Sequence, residues 1–161
     1  MLSLGDDIDG EADATPDGMA QGDDNDALPD DEDGVTFFSS LNIVPGGTIR
    51  LPIDVVNGTG MTAYLEGWID WNGDGTLDAG EIIVDIDDST TPFPSFITVP
   101  VPAVIADNVP IGARFRLSHT PDMTPYGVIE SGEVEDYLIQ IDCATGTCIP
   151  MSSIIRRGTK D

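Results

Sequence analysis

Residues 61–86 read MTAYLEGWIDWNGDGTLDAGEIIVDI, and this stretch decides which class of fold the chain can adopt. Its two ends, Met61–Ile69 and Glu81–Ile86, are short runs of aromatic and branched apolar residues, which are typical of β-strands. Neither end suits the helices that flank an ordinary helix–loop–helix site. The sequence therefore predicts two β-strands joined by the acidic loop Asp70–Glu81.

The acidic loop carries oxygen-bearing residues at the spacing of a calcium-binding loop. Side-chain oxygens stand at loop positions 1, 3 and 5, Gly75 stands at position 6 where the chain must turn, and a glutamate closes the loop at position 12. Calcium takes about six to eight oxygen ligands at roughly 2.3–2.6 Å, and one loop can supply most of them. A solvated acidic turn without an ion is the alternative. We predict a Ca²⁺ site with the ligands Asp70, Asn72, Asp74, Thr76 (through its backbone carbonyl), Asp78 and Glu81.

The rest of the central region continues the strand pattern. Ala113, Phe115 and Leu117 alternate on one face of their strand, whereas Arg114 and Arg116 point the opposite way. Short strands at regular spacing, with Gly, Pro and Asn between them and no helix, predict an all-β fold, an antiparallel β-sandwich of the Ig-like or jelly-roll-like kind. The predicted strands are Val35–Phe38, Thr48–Val56, Met61–Asp70, Glu81–Ile86, Ser95–Val101, Ile111–Ser118 and Val134–Asp142.

The charge balance excludes two classes of partner. With 30 acidic and 6 basic residues, the formal net charge is −24. Such a surface repels nucleic-acid phosphates and anionic membranes, so neither nucleic acid nor a membrane is expected as a partner, and no stretch approaches the ~20 apolar residues of a membrane span. The same charge destabilises a compact state unless cations offset it, which again favours bound calcium.

The chain divides into three predicted regions. Residues 1–34 hold 13 Asp or Glu and no Lys or Arg, so this lead-in is predicted to pack on the sandwich only when calcium is bound. Residues 35–142 form the sandwich, and residues 143–161 form a tail. Alternating carboxylates in the lead-in resemble half of a calcium site, so further metal ligands are predicted there at Asp7, Asp9 and Glu11.

The tail contains two features of its own. Cys143 and Cys148 lack the four ligands of a zinc site, and a small disulfide loop, which implies an oxidising, extracellular compartment, is favoured instead. Beyond it, Ile149–Asp161 is apolar at first and then holds half of the basic residues of the chain. This segment is either a frayed tail or a strand that pairs with the sheet edge of a neighbouring copy.

Four motifs occur in the order seen in one known family: DDEDGV (30–35), WIDWNGDG (68–75), ARFRLS (113–118) and GEVEDY (132–137). Together they resemble the GEVED domain, a module repeated in large secreted and cell-surface proteins of bacteria and occasionally archaea. The resemblance extends from about Leu4 to Asp142. It includes an acidic lead-in, LGDDIDGEAD, but not the Asp-Tyr/Phe-Gly-Asp-Ala-Pro segment that often precedes it. It implies an extracellular β-sandwich with structural or adhesive duties, and it brings no catalytic residues.

Two roles compete for the carboxylates of GEVEDY. They could pair with Arg114 and Arg116 if those strands are neighbours. They could also complete a second metal site with the DDED segment, because six basic residues are too few to neutralise 30 acidic ones. The candidate ligands of that site are Asp30, Asp31, Glu32, Asp33, Glu133, Glu135 and Asp136.

Catalysis is not expected, because the one histidine, His119, lies in a turn-like sequence and no nucleophile motif is present. Carbohydrate binding is the alternative function: Tyr64 and Trp68 share one face of a strand and could stack on sugar rings if exposed, or form core if buried. Asn57 begins a glycosylation sequon, Asn57-Gly58-Thr59.

The sequence thus predicts a secreted, non-enzymatic, calcium-stabilised β-sandwich that builds an extracellular surface fibre or adhesin. Its partners would be copies of itself, arranged head to tail by strand exchange, or neighbouring modules of a larger surface protein, and possible ligands include glycans.

Overall fold

A computed structural model describes residues 1–5, 34–37, 43–107, 109–129, 132–142 and 149–150. In these residues the regular structure consists of β-strands and one short 3₁₀ turn, Ala79–Glu81. The prediction of an all-β fold is therefore confirmed. The strands are β1 (Leu2–Leu4), β2 (Thr48–Pro52), β3 (Val55–Asn57), β4 (Tyr64–Ile69), β5 (Ile82–Asp87), β6 (Phe96–Pro100), β7 (Pro110–Ser118), β8 (Gly132–Asp142) and β9 (Ile149–Pro150).

The strands form three antiparallel sheets. The largest has five strands in the order β5-β4-β7-β8-β9, and two smaller sheets pair β1 with β3 and β2 with β6. In the large sheet, Arg114 of β7 lies opposite Trp68 of β4 on one side and opposite Asp136 of β8 on the other. Antiparallel register therefore places residues from three of the sequence motifs in one cross-strand row.

The main apolar core contains side chains from all three sheets. Leu4 of β1, Leu51 of β2 and Val99 of β6 belong to the same buried cluster as Phe115 and Tyr137 of the large sheet. The predicted alternation on β7 is confirmed, because the ring of Phe115 packs edge-on against Tyr137 in this core, whereas Arg114 binds Asp136. The two-residue period of a strand places such neighbours on opposite faces.

The opposite face of the large sheet is also buried. Trp68, Leu77, Val134 and Leu138 are buried apolar residues outside the main core cluster. The segment 119–129 lies over this face, since both arginines of β7 donate hydrogen bonds to its backbone carbonyls. The large sheet is thus packed on both faces, one apolar and one mixed with charged groups.

Several predicted strand boundaries differ from the structure. The structure has two strands, β2 and β3, where one was predicted over Thr48–Val56, and the break between them lies at Ile53–Asp54. Of the strand predicted to start at Val35, the described residues show a single bridge between Val35 and Ile53. Strand β1 was not predicted; it pairs with β3 and buries Leu4 completely. Three residues are too few to show a period, so only tertiary pairing reveals this strand.

Two residues of the tail pair within the same chain. Ile149 and Pro150 lie opposite Asp142 and Ile141 at the end of β8. No helix among the described residues is long and apolar enough to span a membrane.

Candidate functional site

The acidic loop Asp70–Glu81 connects β4 to β5, as predicted. Its first residue is held by the sheet, because the Asp70 N–H donates to the Gly112 carbonyl of β7 at 2.9 Å. The Asp70 side chain then organises the loop. Its Oδ1 accepts the Gly73 N–H at 2.8 Å, and its Oδ2 accepts the Gly75 N–H at 2.9 Å. Asp70 is only 1 % exposed, so one buried carboxylate is surrounded by backbone donors.

Two further side-chain turns shape the exposed part of the loop. Asn72 Oδ1 accepts the Asp74 N–H at 2.8 Å, and Asp74 Oδ1 accepts the N–H and hydroxyl of Thr76 at 2.9 and 2.6 Å. These bonds from Thr76 lower the pKa of Asp74. Gly75 has a φ of +83°, which confirms the sharp turn predicted at loop position 6.

The loop closes at Glu81. Its Oε2 accepts the Asp78 N–H at 3.0 Å, while the Glu81 N–H donates to the Asp78 carbonyl at 2.9 Å. Burial raises the pKa of Glu81, and the charges of Asp70 and Asp74 raise it further. Asp70 and Asp74 therefore lie close enough to Glu81 to disfavour its charged form, and a bound cation would relieve that repulsion.

The donor atoms of this loop are oxygens, which suit a hard cation, but its carboxylates do not converge on one point. Among the described residues, no group of three or more His, Cys, Asp or Glu side chains is arranged to hold a metal ion. A small pocket of about 230 Å³ lies beside Asp70, Asp74 and Gly75 and reaches Leu138 of β8. Calcium prefers oxygen ligands, and the predicted ligands all supply them: Asp70, Asn72, Asp74, Thr76, Asp78 and Glu81.

The GEVEDY carboxylates separate into two roles. Asp136 pairs with Arg114: Arg114 Nε lies 2.6 Å from Asp136 Oδ1, and a second nitrogen of the guanidinium lies 2.5 Å from Oδ2. This contact is the predicted pairing of a GEVEDY carboxylate with an arginine of the neighbouring strand. Because Asp136 faces away from Glu133 and Glu135 on β8, the structure does not bring these three carboxylates together.

Glu133 and Glu135 hold backbone groups of the N-terminal region. Glu133 Oε2 accepts the Leu4 N–H at 2.5 Å, and Glu135 Oε1 accepts the Gly34 N–H at 2.9 Å. Tyr137 completes the row, because its hydroxyl accepts the Val35 N–H at 3.0 Å. Glu133 and Glu135 thus fix both ends of the acidic lead-in to β8. The predicted lead-in ligands Asp7, Asp9, Glu11 and Asp30–Asp33 lie outside the described residues.

Arg116 binds carbonyl oxygens of the covering segment. It donates to the carbonyls of Thr124, Tyr126 and Gly127. Burial and the neighbouring Arg114 lower the pKa of Arg116 to about 10. Sequence reasoning missed this contact, because nothing in the ARFRLS pattern indicates which loop covers the arginines.

The residues proposed for other functions are placed as follows. Trp68 is 2 % exposed, so it cannot stack on a sugar, and Tyr64 alone of that pair is partly exposed. A ring nitrogen of His119 contacts the Thr62 carbonyl at 2.8 Å. Asn57 Nδ2 donates to the Met61 carbonyl and to Asp88 Oδ2 at 2.7 and 2.6 Å, and a glycan on that nitrogen would replace one of the two hydrogens that make these bonds. Cys143 and Cys148 lie outside the described residues.

These features define the class: an all-β protein of antiparallel sheets with an acidic strand-to-strand loop. Residues 64–140 match the family model of the GEVED domain, so the chain contains a GEVED domain over this segment. The match begins at β4 and extends through most of β8, and it confirms the resemblance over that part of the chain. No curated protein and no solved structure matches the chain.

Proposed function

We propose that this protein is a non-enzymatic structural module of a secreted surface assembly, in which calcium stabilises a β-sandwich. The observation that carries the proposal is the acidic loop between β4 and β5. Burial raises the pKa of Glu81 at the end of this loop, and the charges of the buried Asp70 and the exposed Asp74 raise it further. A GEVED domain is typical of a module within a larger protein, which agrees with a structural role.

Calcium is the cation best suited to this loop. The donors are all hard oxygens from one short segment, and calcium tolerates irregular geometry with more ligands than magnesium does. Asp70, Asn72, Asp74, Asp78 and Glu81 would hold it with their side chains, and Thr76 with its carbonyl. In a chain of net charge −24, the ion would also reduce self-repulsion. An affinity on the order of 10⁻⁴–10⁻³ M is expected if the loop follows extracellular modules.

Thermal unfolding with calcium and with excess chelator tests this proposal. Calcium should raise the melting temperature of the parent protein, since a ligand that binds only the folded state stabilises it by mass action. In Asp74→Ala that increase should be much smaller. Asp54→Asn is the matched control, because Asp54 is an exposed acid between β2 and β3. Equal calcium-induced shifts in the parent and in Asp74→Ala would show that the loop is not the site.

Self-assembly by strand exchange is the second part of the proposal. In the large sheet, β5 and β9 are the two opposite edges, so the chain that follows Pro150 starts at the edge opposite to β5. An apolar pocket of about 370 Å³ lies between β5 and β6 and is lined by Ile83, Ile86 and Phe96. Asp85 and Asp87 are exposed on β5, where they would attract basic residues.

The tail of one copy has the matching properties. After Ile149 and Pro150, which pair with β8 of their own chain, the apolar end of IPMSSII (149–155) is followed by Arg156, Arg157 and Lys160. A donor and an acceptor at opposite edges form a heterologous contact, which propagates head to tail instead of closing. Deletion of Ile149–Asp161 should leave monomers in light scattering, and replacing the three basic residues with Glu should weaken assembly without removing the apolar segment. Fibres of unchanged length by electron microscopy in both variants would contradict strand exchange by the tail.

A further inference from the structure

A tyrosine outside the acidic loop contacts its backbone. The Leu77 N–H donates a hydrogen bond of 2.6 Å to the hydroxyl of Tyr126, which is 49 residues away in sequence. Leu77 is 2 % exposed and packs outside the main core cluster, on the side of the large sheet that the segment 119–129 covers. The contact therefore joins the middle of the loop to a segment fixed on the sheet.

This hydrogen bond acts on the same peptide group as a predicted ligand. The Leu77 N–H and the Thr76 carbonyl belong to one peptide bond, and all peptide bonds between described residues are trans. A trans peptide is planar, so its N–H and C=O point in opposite directions. By holding the N–H on one side, the Tyr126 hydroxyl determines where the Thr76 carbonyl oxygen points on the other.

The sheet holds Tyr126 through the two buried arginines. Arg116 donates to the carbonyls of Thr124, Tyr126 and Gly127, and Arg114 donates to the carbonyl of Pro125 at 2.9 Å. Within the same covering segment, 119–129, the Met123 N–H donates to Glu66 Oε1 at 2.8 Å. Each of these groups comes from a strand of the large sheet, so the position of the hydroxyl is set by rigid elements.

We infer that Tyr126 is a positioning residue for the calcium loop: its hydroxyl orients the Thr76 carbonyl as the backbone ligand of the ion without touching the ion itself. This inference rests on the proposed function of the loop. It adds that hydrogen bonds connect Arg114 and Arg116, the covering segment 119–129 and the acidic loop Asp70–Glu81, so that the large sheet positions the loop. The loop thereby has one ligand already oriented before the ion binds, which lowers the ordering cost of binding.

The test is the calcium affinity of Tyr126→Phe, measured by titration calorimetry on the full chain. The substitution removes the hydroxyl and keeps the ring. A net hydrogen-bond contribution of the usual size predicts a Kd weaker by roughly three- to tenfold. In chelator, hydrogen exchange at the Leu77 amide should accelerate by a similar factor. Tyr64→Phe is the matched control, since Tyr64 lies at the start of β4, opposite Ser118 and away from the loop.

The outcomes separate the inference from the function on which it rests. A parent protein that binds no calcium would overturn both. A parent that binds calcium with the same Kd as Tyr126→Phe would overturn the role of Tyr126 and leave the calcium site intact. A second measurement uses the parent alone: the carbonyl ¹³C resonance of Thr76 should shift on calcium titration. If it does not move while the Asp74 carboxyl resonance does, Thr76 is not a ligand and the inference fails.

Discussion

Arg114 of β7 and Asp136 of β8 form a two-point ion pair in which each side chain is only 1 % exposed. They lie directly opposite each other in register, and Trp68 lies opposite Arg114 on its other side. The third guanidinium nitrogen of Arg114 donates to Pro125. Each guanidinium nitrogen of Arg114 therefore has a hydrogen-bond partner, which is the condition under which a buried ion pair can be tolerated. The bond to Pro125 also fixes the segment that covers the pair.

Removing one partner of this pair should strongly destabilise the protein. Asp136→Asn leaves the Arg114 guanidinium buried without its counter-charge, and breaking a buried pair in this way costs about 3–5 kcal/mol. Urea unfolding followed by tryptophan fluorescence measures the change. Asp54→Asn, which removes an exposed acid, should have little effect.

The double variant Arg114→Met with Asp136→Leu tests whether the pair contributes to stability or to specificity. Apolar replacement of both partners should recover most of the loss, because no charge is left buried. An Asp136→Asn variant as stable as the parent would contradict a stabilising ion pair between Arg114 and Asp136.

Alternation allowed the faces of β7 and β8 to be predicted, because a strand has a fixed period of two and the residues around Phe115 and Tyr137 alternate cleanly. The position of Asp136 opposite Arg114 needed more than the pattern. It depends on the register between β7 and β8, and no local signal in either strand specifies that register. The sequence therefore supported both the ion pair and a metal site for Asp136, and the pairing of the strands shows the ion pair for this residue.

The lead-in should detach locally when its acceptors on β8 are removed. Glu133→Ala and Glu135→Ala delete the oxygens that accept the Leu4 and Gly34 N–H groups. Hydrogen bonds to charged groups contribute about 1.5–3 kcal/mol, so exchange at these two amides should accelerate by about 10- to 100-fold. Hydrogen exchange resolved by NMR measures this, with the Asp70 amide, which donates to the Gly112 carbonyl of the large sheet, as an internal reference.

The two variants should act on different amides. Glu133→Ala should affect Leu4 more than Gly34, and Glu135→Ala the reverse. Uniform acceleration across the whole chain in both variants would mean global destabilisation and would contradict a local anchoring role.

Gly132, the glycine of GEVEDY, should tolerate no side chain. A Cβ at Gly132 would lie 1.8 Å from the Leu117 carbonyl oxygen, and the backbone φ of +129° is itself unfavourable for other residues. Gly132→Ala should therefore abolish folding or lower the melting temperature severely. Gly80→Ala is the control, because a Cβ there would meet nothing within 4 Å. Similar melting temperatures for the two variants would contradict the β7–β8 register.

A motif predicts the glycines that a local turn requires, but not those that a tertiary contact requires. A glycine at position 6 of the loop was predictable, since the loop pattern requires a turn there and Gly75 has a positive φ. The need for Gly34 was not, because it arises from the Cβ of Leu4, which would lie 2.7 Å away from an added side chain. Similarly, Tyr126 gave only a weak signal, an aromatic residue between Pro125 and Gly127 in a turn, whose contact with Leu77 depends on the tertiary fold.

Glu66 should make the stability of the protein decrease as the pH rises. Burial raises the pKa of Glu66 above its ordinary value of 4.5, and the charges of Asp85 and Asp122 raise it further. An acid with a raised pKa binds more protons in the folded state than in the unfolded state. Its unfavourable contribution is therefore absent below the ordinary pKa and develops as the pH rises through the raised value.

Glu66→Gln should consequently be more stable than the parent at pH 7. Gln retains an oxygen that can accept the Met123 N–H, so the substitution removes the charge and keeps the hydrogen bond. The difference in free energy of unfolding between variant and parent should shrink as the pH falls and vanish once it is below 4.5. In an Asp85→Asn background the stabilisation should be smaller, because one source of repulsion is already absent. A stabilisation by Glu66→Gln that is the same at acid and neutral pH would show that the charge of Glu66 is not its cause.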